Sequence, residues 1–385
     1  MKKIDFDQIY SRTNTDSIKW KRYPGDVLPL WVADMDFASP PEVAESIAKR
    51  ISHPIFGYGG PDHDLHEVIC EWVQKRYGWQ IDTDWILLMP GVVTGMNWVA
   101  RSFLKKSDSL IFHTPVYPPF FNISKNADAR QIEIPMIIRD GTYQISFDQF
   151  EKAIQESTKL YFLCNPQNPV GRVFCKEELE EINEICLKKN VIICSDEIHC
   201  DLTFSGHPHI PIASLSEYAA KNTITLMAPS KTFNIPGLDF SFAVVPNPEH
   251  RQRMEKSRGG LVGHPNLLAA EAAKAVFANS ADWLAQLNSY LEGNRDYLVD
   301  FIKTNLPEIK IIPPEGTYLA WLDCRELDLQ PGPYEFFLEK AKVALNDGQN
   351  FGKNGAGFVR LNFGCQRQTL VDALERMAEA IYTAK

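Results

Sequence analysis

The chain has 385 residues, 44% hydrophobic and 23% charged, an ordinary globular composition that excludes a disordered chain and suits two domains. Forty basic against 49 acidic residues leave a formal net charge of −9, which excludes the basic footprint of a nucleic-acid or polybasic membrane contact. No apolar run approaches the roughly 20 residues of a membrane span, and Met1-Lys2-Lys3-Ile4-Asp5 lacks the apolar core of a signal peptide, so a cytoplasmic protein is expected.

In chain order, the first 45 residues read as an extended arm with Trp20, Trp31 and a Pro24-Gly25 turn, expected to pack on a smaller domain or a partner subunit. Seven short segments rich in Ile, Val and Leu then read as strands covered on both faces: Trp85–Met89, Ser109–His113, Ala129–Ile134, Leu160–Cys164, Val191–Ser195, Thr223–Met227 and Phe240–Val245. Helix-periodic stretches at Val92–Leu104, Asp148–Gln155 and Lys176–Lys189 alternate with them, with Glu and Lys marking the solvent side. Such alternation predicts an α/β fold: a mostly parallel seven-stranded sheet sandwiched by helices. After Pro265 the pattern changes. Asn266–Leu306 is largely helix-periodic, followed by Ile309–Ile312, Thr317–Leu322, a helix at Pro333–Lys342, Phe358–Asn362 and a final helix at Arg367–Thr383. The expected division is an arm at 1–45, a large α/β domain at 46–280 and a small α+β domain at 281–385.

The eight cysteines form no C-x-x-C pair and read as free, buried thiols. Cys194, His199, Cys200 and Asp201 lack zinc spacing, so no metal is expected. Gly352, Gly355 and Gly357 form G-x-x-G-x-G before a strand rather than between strand and helix, which is not a dinucleotide fingerprint.

Four stretches carry chemistry. Ala228-Pro229-Ser230-Lys231-Thr232-Phe233-Asn234-Ile235-Pro236-Gly237-Leu238 places a lysine just past an apolar strand, at the edge where open α/β sheets bind ligands. Apolar neighbours there lower an amine's pKa and free it to attack carbonyls. Ser195-Asp196-Glu197-Ile198-His199 puts a carboxylate at the same edge, which needs a cationic partner if it stays charged, or else serves as an N-cap. Asn165-Pro166-Gln167-Asn168-Pro169-Val170-Gly171 is a rigid turn that presents amides. Pro90-Gly91-Val92-Val93-Thr94-Gly95 opens a helix whose free N–H groups suit an anion.

Together, in order and spacing, these residues resemble the fold-type-I pyridoxal-5′-phosphate (PLP) enzymes of the class I/II aminotransferase superfamily. Within it the chain looks most like the MalY/PatB-type C–S lyases, the cystathionine β-lyases. The supporting signatures are Phe6-Asp7, Arg12, Thr15-Asp16-Ser17-Ile18-Lys19-Trp20, Trp31-Val32-Ala33-Asp34-Met35-Asp36-Phe37, Phe56-Gly57-Tyr58, and the aspartate and lysine stretches above. The resemblance implies that Lys231 holds the cofactor as an imine, that Asp196 pairs with its pyridinium nitrogen, and that Asn168 bonds its phenolic oxygen. It implies that Tyr117 stacks on the ring and that the amides of Val92 and Val93, with Ser230, hold the phosphate. Tyr58 would reach the phosphate of the neighbouring subunit and take part in catalysis, which implies a homodimer with shared sites. Arg360 would clamp the substrate carboxylate, with Ala33 and Asn168 beside the substrate.

Two positions depart from the wider superfamily. His199 stands where aminotransferases carry Tyr; it is expected to donate to the phenolic oxygen or only to pack. Asp239 stands where they carry Arg against the phosphate, and is expected to point away from it. Both favour a lyase that cleaves L-cystathionine or another L-cysteine S-conjugate by β-elimination to a thiol, pyruvate and ammonia. The alternatives are a PLP aminotransferase of histidinol-phosphate or aromatic type, and a regulatory PLP-binding protein acting through a protein partner.

Overall fold

The computed structural model describes residues 3–60 and 62–384. Its large sheet holds β1 (Ile86–Met89), β2 (Ser109–Thr114), β3 (Arg130–Pro135), β4 (Thr158–Cys164), β5 (Ile192–Asp196), β6 (Thr223–Met227) and β7 (Ser241–Val244). All lie within one or two residues of the expected segments. β2, β4, β5 and β6 are buried throughout or nearly so, as their unbroken apolar runs require. The order across the sheet is β1-β7-β6-β5-β4-β2-β3. All neighbours are parallel except β7, which runs antiparallel to both β1 and β6.

That topology gathers the site. Cys164 of β4 is in register with Asp196 of β5, and Asp196 with Leu226 of β6. Reversed β7 begins at Ser241, opposite Met89 at the end of β1. The chain leaving β1, β4, β5 and β6 and the chain entering β7 therefore meet along one edge. The core below is continuous with Trp98, Phe112, Phe120 and Phe162, all essentially buried.

The second sheet is antiparallel and four-stranded: β8 (Lys310–Ile311), β9 (Leu319–Asp323), β10 (Asn346–Asp347) and β11 (Phe358–Asn362), in the order β8-β9-β11-β10. Helices Ala281–Asn305 and Arg367–Ala384 pack with it through Leu298, Ile302, Leu370 and Leu374 against Leu319, Val359 and Leu361. The segment expected as one helix at 333–342 is a single α-turn, Pro333–Phe336, continued as a π-helix, Phe337–Ala341, and ended by Lys342 at φ 57°.

The arm is extended apart from one turn at Ile18–Lys21, and helix Pro41–Ile51 runs through position 45. Leu28–Pro29 pairs in parallel with Val343–Ala344, and Phe6 packs against Phe37, Trp283 and Tyr290. Helices His63–Tyr77 and Pro248–Arg258 complete the large unit; Asp62 caps the first through the Leu65 amide.

A seam of main chain joins the two sheets. Gly171 accepts from the amides of Glu315 (2.8 Å) and Gly316 (3.0 Å), and the Thr317 amide donates to Leu202 (2.7 Å). A Cβ on Gly171 would meet Pro314 Cβ at 2.6 Å, and one on Gly316 would meet the Leu202 carbonyl at 2.8 Å. Among the described residues no helix is long and apolar enough to cross a membrane, and no group of side chains is set to hold a metal. All eight cysteines are free; Cys175 is exposed and Cys70 half-buried, unlike the buried thiols expected.

Candidate active site

A cavity of about 270 Å³ opens at the shared strand edge, lined by Lys231, Asp196, Asn168, His199, Tyr117, Ala33, Ser230, Val92 and Val93. Nine of the expected site residues thus come together.

Lys231 lies on a one-turn helix, Pro229–Thr232, directly after β6. Its Nζ donates to the Ala33 carbonyl at 2.6 Å. Burial lowers its pKa to about 8, against the opposing pull of Asp34. The next residue, Thr232, donates to Asp201 Oδ2 at 3.1 Å, which pins the turn.

Asp196 ends β5 and is 3% exposed. Among the described residues its carboxylate accepts one hydrogen bond, from the Ile198 amide to Oδ1 at 3.2 Å, the cap-like contact expected of a strand-end aspartate. No ion pair reaches it among the described residues. Burial, reinforced by the charge of Glu197, raises its pKa to about 7.

Arg360 projects from β11 and is 4% exposed. Its Nη1 donates to Asn168 Oδ1 at 2.9 Å, and its Nη2 donates to the Trp31 carbonyl at 3.0 Å and to Asn346 Oδ1 at 2.6 Å. These acceptors are all neutral, Nε has no hydrogen-bond partner among the described residues, and burial lowers the pKa to about 10. A buried guanidinium held only by neutral groups is an open receptor for a carboxylate.

His199 is 2% exposed, and its Nδ1 has no hydrogen-bond partner among the described residues. Burial, with Lys231 and Arg360 nearby, lowers its pKa to about 3, so the ring is neutral. It packs edge-on to Tyr318 at 5.8 Å. Burial raises the pKa of Tyr117, so its phenol stays protonated. At the other end of the cavity, helix Val92–Phe103 begins after Gly91 at φ 90°. Its first chain bond is Gly95 to Gly91, so the Val92 and Val93 amides precede the helical ladder. Thr94 joins them.

Asp239 corrects an expectation. It was expected to point away, yet it lines this cavity at its exposed rim, with φ 54°. The left-handed turn that delivers the chain into β7 leaves it there. Tyr58 is not part of the cavity within one chain: it is fully exposed, on a segment shared with exposed Ile55 and Phe56. Tyr318 is a site residue the sequence reading missed. Buried, with its pKa well above the ordinary tyrosine value because of that burial, it donates to the Ala33 carbonyl at 2.9 Å. The only signal was Glu315-Gly316-Thr317-Tyr318, a turn with Thr317 at φ 68°.

Comparisons with known proteins agree with this geometry. The model of the aminotransferase class I and II family matches residues 25–377. Cystathionine beta-lyase PatB of Bacillus subtilis is 38% identical over 98% of this chain and 100% of its own length. Protein MalY of Escherichia coli is 31% identical over 98% and 99%. The crystal structure of cystalysin from Treponema denticola, which contains a pyridoxal 5′-phosphate cofactor, superimposes with a TM-score of 0.96 at 38% identity, covering 99% of each chain. With its fold, strand-edge cavity and full-length matches, this chain belongs to the aminotransferase class I and II family, in the branch of PatB and MalY.

Proposed function

We propose that this protein is a PLP-dependent carbon–sulfur lyase acting on L-cystathionine or other L-cysteine S-conjugates. The observation that carries the cofactor is Asp196, a carboxylate buried at the cavity without an ion pair. Such a group keeps its charge only against a cation, and a protonated pyridine nitrogen is one. The residues present fit the whole group. Lys231 would hold its aldehyde carbon, Asp196 its ring nitrogen, Tyr117 its ring face, and Asn168 with His199 its phenolic oxygen. The Val92 and Val93 amides with Ser230 would hold its phosphate. Bound there, the cofactor supplies an electron sink for charge developing at the substrate Cα.

The chain's own groups do the rest. Arg360 receives the substrate carboxylate, beside Asn168 and Ala33, and so fixes which bond at Cα lies next to Lys231. The Lys231 amine, unprotonated in a growing fraction as pH passes about 8, takes the Cα proton. Neutral His199 adds no charge to compete with that transfer. A thiol has a pKa of about 8.5, so the sulfur leaves with little acid help; Tyr117, or Tyr58 from a second copy, returns a proton to it. With one water the products are a thiol, pyruvate and ammonia. Exposed Tyr58, Ile55 and Phe56 support a homodimer in which each copy completes its neighbour's site.

The lyase is favoured over an aminotransferase by the full-length relative named cystathionine beta-lyase and by Asp239 and His199 at the two departing positions. The test is incubation of the purified holoprotein with L-cystathionine and no keto acid, with pyruvate read by coupled reduction. Pyruvate release is expected. Turnover of amino acids only on adding a keto acid, with no pyruvate from any cysteine conjugate, would replace the lyase with an aminotransferase.

A further inference from the structure

Segment 31–37 crosses between the two sheets, and its main chain touches both key cations. The Trp31 carbonyl accepts from Arg360, and the Ala33 carbonyl accepts from Lys231 and Tyr318. Two asparagines stitch this strap in place. Asn362, two residues beyond Arg360, donates through Nδ2 to the carbonyls of Val32 (2.7 Å) and Asp34 (2.8 Å). Asn234, three residues beyond Lys231, accepts from the Met35 amide (2.9 Å) and donates to the carbonyls of Met35 (3.0 Å) and Phe37 (2.8 Å).

A charged quartet from the N-terminal arm and the strap itself, with Lys19 and Asp36 buried and Arg12 and Asp34 half-buried, completes the clamp. Lys19, 1% exposed, donates to Asp36 Oδ2 at 2.8 Å and to the Asp34 carbonyl at 3.1 Å. Arg12 reaches Asp34 Oδ2 at 2.6 Å, Asp36 Oδ1 at 3.1 Å and the Met35 carbonyl at 3.2 Å. The Trp20 indole donates to Asp36 Oδ1 at 3.0 Å. Two charges of each sign cancel. Desolvating the buried Lys19–Asp36 pair costs several kcal/mol per ion, and apolar residues of like volume often stabilise a fold as well or better. Stability alone therefore does not account for the quartet. Its bonds are directional, and two of them end on strap carbonyls.

We propose that Arg12, Lys19, Asp34 and Asp36 are positioning residues: they fix the strap so that its Trp31 and Ala33 carbonyls hold the Arg360 guanidinium and the free Lys231 amine at one separation, suited to the adjacent carboxylate and Cα of an α-amino acid. This rests on the roles given above to Lys231 and Arg360. The arm then acts on the reaction without touching substrate. The groups facing Lys231 are Asp34 from the strap, Asp196 and His199 from the end of β5, and Arg360 from β11; Asp36 acts through the strap.

The test uses the full chain in two states. In cofactor-free protein, competitive acylation at a series of pH values, read by mass spectrometry on the peptide holding Lys231, gives the titration midpoint of its amine. In holoprotein, KM and kcat are measured for a cysteine conjugate. Asp36→Asn should loosen the strap, admit water and raise the midpoint by about one pH unit, and should raise KM about fivefold with a smaller change in kcat. Should Asp36→Asn not fold, Arg12→Gln, at the half-buried rim of the quartet, is read the same way. Leu179→Ala, which opens a cavity in a separate core, should lower the melting temperature and leave the midpoint in place. A midpoint that is unchanged or lowered in the quartet variant, or one that moves equally in Leu179→Ala, overturns the proposal. The acylation result needs no turnover, so it stands apart from success or failure of the lyase assay.

Discussion

The two walls of the cavity are built differently. On the large-sheet side, Asp196 ends its strand and Val92, Asn168 and Lys231 follow theirs within four residues, so each is placed by a few residues of local chain. On the other side, the Ala33 carbonyl, and Arg360 behind Asn168, are placed by contacts spanning hundreds of residues: Arg360 to Trp31, Tyr318 to Ala33, Asn362 to Val32. In the proposed reaction the first wall carries the reactive groups, while the second fixes the substrate against them. A defect in the first wall should therefore strike the chemical step, and one in the second should strike binding.

The largest effect should come from Lys231→Ala. Loss of the proton carrier should lower kcat for pyruvate release by about 10²–10⁴-fold, and borohydride should no longer fix the cofactor to the peptide around position 231. Retention of either property would move the reactive amine elsewhere. Asp196→Asn belongs to the same wall and should cut kcat by about 100-fold, yet it should stabilise the cofactor-free protein. Folding raises this carboxyl from 3.8 to about 7, so the folded state binds the extra proton between those values and stability falls as pH rises through that window. The variant escapes that loss: its melting temperature should exceed that of the parent at pH 8, and the gap should close toward pH 4. An equal gap at both pH values would show that folding leaves the Asp196 pKa unshifted.

Arg360→Lys probes the opposite wall. The charge remains but the fork is lost, so KM for amino acids should rise about tenfold with kcat little changed; a fall in kcat alone would erase the distinction between the walls. The smallest effect should come from Asp239→Asn. Removing an exposed carboxylate from the anion-holding rim should tighten binding of pyridoxal phosphate by about two- to fivefold, measured by fluorescence titration. Weaker binding would mean that Asp239 supports the phosphate end.

The same contrast decides what could be read in the sequence. The seven strands were legible because each is an apolar run bounded by turn residues, and the residues just past their ends follow from the α/β topology. Asp196 and Lys231 are local facts of that kind. The expected boundary at 45 cuts helix Pro41–Ile51, whose start lies in a Ser39-Pro40-Pro41 stretch that reads as a break. Tyr318 and the contacts of the strap were beyond sequence reasoning for another reason: Arg12, Lys19 and segment 31–37 carry the family resemblance, but main-chain carbonyls leave no residue signature and chain order does not show that Lys19 meets Asp36 at 2.8 Å. Asp239 was misjudged because charge repulsion was weighed without the left-handed turn that leaves it at the rim.

At Gly171 and Gly316, backbone lies against backbone with no space for even a methyl group between the two sheets. The wedge between them therefore has a fixed width that exchange of side chains along the join cannot enlarge. A variant that must admit a bulkier leaving group has to gain the room elsewhere in the cleft. An alanine at Gly316, remote from the chemistry, would instead pry Arg360 away from Asn168 and be felt first as a lost grip on the substrate.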